Sequence, residues 1–262
     1  MHLAYQYSTE GNITFTGETL AYQDIRLSVT SFRTAVHTLF FDIQKHFETE
    51  LLLKQSTPYV NISKLSDIPS CRTVGFSFIH HTTNSSIFPV STTWLGDVIN
   101  SQPQLRSQFF QDTPYESTIR RTRVEQYRLE VTRFLKSLAV LVHLTAGQPA
   151  RSPELLSIRH QNSTTGNLRN IFIDNGLVQL VTRYYKGSSI VQNNDVKVVV
   201  RFLPFCISQL LVQYIWLIIP WTEVLNFHLD QYIDTESFLW PWEGPIKILR
   251  TPFLDIFSRT TQ

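Results

Sequence analysis

Apolar positions recur along this chain in two rhythms, one helical and one extended. Between Ser28 and Lys54 the side chains of Phe32, Val36, Leu39, Phe40, Ile43 and Phe47 repeat at helical spacing, with Ser31 placed to cap the start. That spacing predicts an amphipathic helix of roughly six or seven turns. The rhythm returns from Glu116 to Leu144, where Val124, Tyr127, Val131, Leu135, Leu138 and Val142 form one stripe. Arg120, Arg121, Arg123, Arg128, Arg133 and Lys136 occupy the rest of that helix surface, against Glu125 and Glu130. Such a face is read either as solvated surface or as phosphate-facing.

Elsewhere the pattern is shorter. Residues 1–24 are polar and rich in Thr, Tyr and Gly, an irregular or weakly stranded lead-in, and Gln55 to Thr93 predicts loops and short strands punctuated by turn residues. STTWLGDVINS predicts a short helix, and Pro103 and Pro114 bracket a further segment. Arg169 to Ile173 and Leu177 to Tyr185 alternate as strands about Asp174-Asn175-Gly176, the residue types a tight hairpin turn needs. Lys186-Gly187-Ser188-Ser189 makes a second turn, and VKVVVRFL, from Val196 to Leu203, a third strand. Phe202 to Trp221 is almost long enough to span a membrane, but Pro204, Ser208, Gln209, Gln213 and Pro220 interrupt it. It is expected to be a buried core helix, with no membrane partner.

The expected architecture is therefore mainly α with a small antiparallel β-sheet, an α+β chain. It divides into an N-terminal helical and irregular part (1–116) and a second part (117–262) carrying a three-stranded sheet at about 169–203.

Composition narrows this only a little. With 262 residues, 42% of them hydrophobic, the chain buries a substantial core, and a formal charge of +2 does not announce a nucleic-acid binder. The distribution is more informative: Arg151 to Arg201 holds seven Lys or Arg against three acids. Cys71 and Cys206 are too few and too far apart for a disulfide framework or a cysteine zinc site, which points to a reducing compartment. The N-terminus lacks the pattern of a secretory signal, so the Asn-x-Ser/Thr matches at Asn12, Asn61, Asn84 and Asn162 are expected to be chance. His80 and His81 point to opposite faces of an extended segment and have no spaced acidic partner, so no metal is expected. Trp216, Trp221, Trp240 and Trp242 are expected in the core rather than stacked on bases.

Ser152-Pro153-Glu154 reads as a helix start, with Ser152 as cap, Pro153 at the first helical position and Glu154 at the positive end of the dipole. Arg151 then stands at the mouth of a helix N-terminus, a geometry that suits a phosphate. The plainer alternative pairs Arg151 with Glu154 or leaves it as surface.

Arg151-x-x-Glu154-Leu155-Leu156-x-Ile158-Arg159, followed by a three-stranded sheet with Lys186 in its second turn, resembles the catalytic core of tyrosine recombinases. Arg151 matches the first catalytic arginine, Glu154 and Arg159 the positions after it, and Lys186 the turn lysine. Arg201-Phe202-Leu203-Pro204 resembles the exit from the third strand. The string HLTAGQPARSPELLSIRHQNSTTGNLRNIFIDNGLVQLVTRYYKG is also similar to a region of large fungal proteins found beside RecQ-type helicases of the telomere-linked or mobile-element kind. The resemblance covers roughly residues 117 to 225 and is strongest from 143 to 220.

That resemblance implies a DNA breaking-rejoining fold acting on duplex DNA in the nucleus, through a tyrosine nucleophile and without metal or cofactor. Two arginines would neutralise the scissile phosphate, and Lys186 would protonate the leaving oxygen. Arg159, Arg169, Arg183 and Arg201 are the further candidates for DNA contact.

Three departures bear on activity. Gln148-Pro149-Ala150 puts two more residues than usual between Gly147 and Arg151. His228-Leu229-Asp230-Gln231 has glutamine where the family has its second arginine, and no tyrosine follows Tyr232. The core is thus expected to be incomplete at its C-terminus. Losing one charge-stabilising donor costs about a hundredfold in rate or more, so this polypeptide is expected to bind DNA without strand transfer. The competing expectation is an interaction module for a helicase partner that makes no DNA contact.

Overall fold

The computed structural model describes residues 13–112, 117–184, 197–230 and 237–240. The fold is α+β, helices with small antiparallel sheets. Residue contacts divide the chain into Met1–Asp42 and Ile43–Gln262. The division falls inside the first long helix.

In the first unit, β1 (Ile13–Thr16), β2 (Thr19–Tyr22) and β3 (Ile25–Ser28) form an antiparallel meander where the sequence suggested only a weakly stranded lead-in. Helix α1 (Val29–His46) follows, and its first turn is capped by Ser28, whose Oγ accepts from the Ser31 amide at 3.2 Å. Ser28 thus takes the role expected of Ser31. Of the predicted stripe, only Ile43 and Phe47 are buried, while Phe32 is 38% exposed. Helical spacing places side chains on one face; it does not supply something to cover that face.

The second unit is built around α4 (Arg121–Thr145). All six stripe residues, Val124, Tyr127, Val131, Leu135, Leu138 and Val142, are buried there. Phe134 packs between Phe47 and Tyr214, with ring centroids 5.4 Å from each, and Phe109 meets Tyr127 and Trp221 edge-on. The Tyr127 hydroxyl donates to the Leu51 carbonyl at 3.0 Å, at the end of a π turn (Phe47–Leu51). Burial raises the Tyr127 pKa, so the phenol stays protonated and keeps that bond.

Residues 55–93 contain 3₁₀ turns in place of the expected short strands, because side chains rather than a neighbouring strand satisfy the backbone. The buried Asn84 amide donates to the Ser66 and Phe78 carbonyls and accepts from the Ser66 amide. Helices α2 (Trp94–Ser101) and α3 (Pro103–Phe109) follow, then a small hairpin of β4 (Phe110–Asp112) and β5 (Ser117–Ile119). A single helical turn, α5 (Ser152–Leu156), leads towards the second sheet.

That sheet has the order β6-β7-β8, with β6 (Ile171–Asp174), β7 (Leu177–Tyr184) and β8 (Lys197–Phe202) all antiparallel, as the alternation predicted. Asn175 and Gly176 both adopt positive φ, 48° and 76°, in the hairpin turn. Pairing Ile171 with Leu180 and Leu180 with Arg201 sets those three on one face, so Arg201 points inward with the core residues.

Helices α6 (Phe205–Gln213) and α7 (Ile219–Asp230) run as one rod through a π turn (Tyr214–Ile218). The π turn lies just before Pro220, whose ring would clash with the carbonyl four residues back in an unbroken α-helix. The rod's most apolar stretch is 72% buried inside the protein, in keeping with an interior helix.

Candidate nucleic-acid interface

The site begins at the end of α4. Gly147 takes φ 81°, the left-handed conformation that ends helices, and turns the chain into Gln148-Pro149-Ala150. This longer approach loop is held from behind by Arg201. Its Nε donates to the Gln148 carbonyl at 2.8 Å, one terminal nitrogen donates to Thr182 Oγ1 at 2.6 Å, and the other lies 3.5 Å from the Glu154 carboxylate. Arg201 is only 7% exposed. It is therefore withdrawn from the set of DNA contacts: its guanidinium joins three chain segments and is spent on them.

Arg151 itself is exposed and has extended backbone angles. It is the cap residue of α5, its carbonyl accepting from the Leu155 amide, and no side chain caps the turn. Ser152 and Pro153 are the first helical residues, so the cap falls one position earlier in the motif than expected. Five residues make too short a helix for an appreciable macrodipole, so the dipole attraction inferred from Ser-Pro-Glu does not operate. The Arg201 clasp holds Gln148 and Glu154, on either side of Arg151 in the chain. Ala150, its neighbour, lines the same small void as His143, Leu155, Thr182 and Arg201.

The other candidates separate. Lys186 lies outside the described residues. Arg183 is exposed on β7, opposite Val198. Arg159 is half-buried, its guanidinium 4.2 Å from the centre of the Phe238 ring and its backbone bridged to Phe238. The segment 237–240 is fastened there by His160 N–H to the Ser237 carbonyl, Leu239 N–H to the Ile158 carbonyl and Trp240 Nε1–H to the Leu155 carbonyl. Trp216, Trp221 and Trp240 are all core residues, and Trp242 lies outside the described residues.

Arg169 is overturned as a DNA contact. Its side chain is 1% exposed and forms a fork-to-fork pair with Asp67, both bonds 2.7 Å, while also donating to the Ile68 and Ile171 carbonyls. Phe76 and Phe172 approach the same guanidinium at 5.2 and 4.5 Å. Asp67 in turn accepts from the Ile173 amide, which ties the 67–76 loop to β6. Beside it the Asn162 amide holds the Cys71 and Thr73 carbonyls.

The sequence singled out His80 and His81 and missed His160. His80 keeps an exposed face, and partial desolvation lowers its pKa, whereas half-buried His81 accepts from the Thr83 amide. His160 is fully buried, and burial together with nearby His80 brings its pKa down to about 4. The hint available was its place directly after Ile158-Arg159, where chain alternation turns the ring inward.

Searches of protein-family models, of curated proteins and of solved structures return no match to this chain.

Proposed function

We propose that the chain is a DNA-binding, tyrosine-recombinase-like fragment of a fungal mobile or subtelomeric element, acting in the nucleus and inactive in strand cleavage. One observation carries this reading. Ala150, adjacent to Arg151, shares a void with Thr182, four residues before Lys186. The exposed motif arginine therefore follows a residue packed against the β7–β8 sheet, the sheet that the resemblance pairs with it. Exposed Arg183 adds charge to the same strand. Contacts of this kind are made to phosphates, hold DNA without reading its sequence and weaken with salt.

The test is a salt titration of duplex DNA binding. Replacing Arg151 and Lys186 together by alanine is expected to reduce the slope of log affinity against log salt by roughly one to two, about one for each phosphate that is no longer neutralised. Unchanged affinity at low salt defeats the reading and favours an interaction module for a RecQ-type helicase. That second reading draws on the inward commitment of Arg169 and Arg201, since two of the basic residues that suggested a groove serve the interior.

A further inference from the structure

A second concavity lies well away from the Arg151 loop in sequence, between the β4–β5 hairpin, the end of α2 and α7. It encloses about 580 Å³, within the range of about 300–1,000 Å³ typical of small-molecule sites. Phe110, Ile119, Trp221 and Val224 supply its apolar lining, and Asn100, Arg106, Thr118 and His228 its polar groups.

The polar groups are oriented in a way that selects a ligand. Arg106 makes a two-pronged contact with Asp112, Nε to Oδ2 at 3.1 Å and a terminal nitrogen to Oδ1 at 3.0 Å, and its guanidinium lies 5.0 Å from the Phe110 ring centre. Its other terminal nitrogen donates to Asn100 Oδ1 at 2.6 Å. That bond settles the amide: with oxygen turned to the arginine, Asn100 offers its NH₂ donors, which meet no acceptor among the described residues. His228 stands edge-on to Phe110, centroids 6.3 Å apart, exposed and without a hydrogen bond among the described residues. Asp112, at the end of β4, is engaged by Arg106 and so does not set a bare negative charge against a ligand. A flat apolar body fits the lining, and an acceptor head group fits the Asn100 and His228 side.

We infer that this cleft binds a small aromatic carboxylate, its ring against Phe110 and Val224 and its carboxylate towards Asn100 and His228. The inference is independent of DNA binding. It is tested on the full chain by ligand-observed NMR with benzoate as probe and benzyl alcohol as neutral comparator. Saturable benzoate binding, at least about tenfold tighter than benzyl alcohol, is expected, since one charge-assisted hydrogen bond is worth about that factor. Val224→Trp fills the cleft from a position 44% exposed, where a larger side chain has room outside the core, and is expected to abolish binding of both probes. Asn100→Asp, which turns a donor into a negative acceptor, is expected to weaken benzoate at least about tenfold and leave benzyl alcohol unchanged. No saturable binding of benzoate at millimolar concentration overturns the inference. So does benzoate binding that survives Val224→Trp, or equal affinity for the two probes.

Discussion

Arg169 and Arg151 lie on the same stretch of chain and put the same side chain to opposite uses. Around Arg169 the enclosure is nearly complete: a carboxylate meets the guanidinium as a fork, carbonyls take further donors and aromatic rings cover its faces, with only Nε lacking an acceptor among the described residues. Around Arg151 the side chain stands exposed on a loop fixed from beneath by Arg201. The difference teaches that a count of cations along a sequence does not measure a phosphate-binding surface. What decides is how deeply the cation is enclosed: the Arg169 side chain is 1% exposed, whereas Arg151 is exposed. Asp67, about a hundred residues upstream, pairs with Arg169, and Glu154 meets Arg201 at longer range.

Breaking the closed region is expected to produce the largest effect. Arg169→Ala strands the Asp67 carboxylate in the interior and is expected to lower unfolding stability by about 3–5 kcal/mol, the usual cost of leaving one buried charge unmatched. Urea denaturation measures it. Arg151→Ala in the same experiment is expected to shift stability by no more than about 0.5 kcal/mol. Equal losses at the two positions erase the contrast.

Acid sharpens the comparison next, because His160 lies in the segment fastened beside the Arg169 hub. An unfolded chain takes up the His160 proton near the ordinary value of about 6.5, the folded protein only near 4. Between those values the unfolded state binds more protons, so stability is full above about pH 6.5 and falls as pH drops towards 4. The loss is at most on the order of 3 kcal/mol, and His80, shifted in the same direction, adds to it. His160→Gln is expected to flatten that acid limb in urea midpoints measured from pH 4 to 7.5; an unchanged slope rejects the assignment.

Smaller effects probe the supports of each region. At Gly176 a Cβ would stand 2.8 Å from the Ser63 Cα, at a φ of 76° that suits glycine. Gly176→Ala is expected to cost about 1–3 kcal/mol, read as a lower thermal midpoint. Phe238→Leu keeps an apolar side chain but removes the ring under Arg159, for an expected destabilisation of about 0.5–1 kcal/mol.

Much of the framework was legible because it depends on short-range regularities. The buried stripe of α4 follows from the 3.6-residue repeat, and the β6–β7 hairpin from the Asn-Gly turn. Local pattern misled where a partner had to come from far away. The stripe on α1 continues onto exposed Phe32, and 55–93 folds into 3₁₀ turns because Asn84 and Asn162 reach loop carbonyls that strand pairing would otherwise satisfy. The candidate site was legible as a motif and illegible as electrostatics. Ser-Pro-Glu marks a helical turn, but only the fold limits α5 to five residues and removes its dipole as an attraction.

Residue order by itself determined which side chains share a helix face, which strands form the hairpins and where turns reverse the chain, since each depends on neighbours within a few bonds. Which arginines face solvent and which are consumed inside was decided by tertiary structure alone. Desolvating a cation is tolerated only where a matching acid and carbonyls converge on it, and here those groups come from segments dozens to a hundred residues apart.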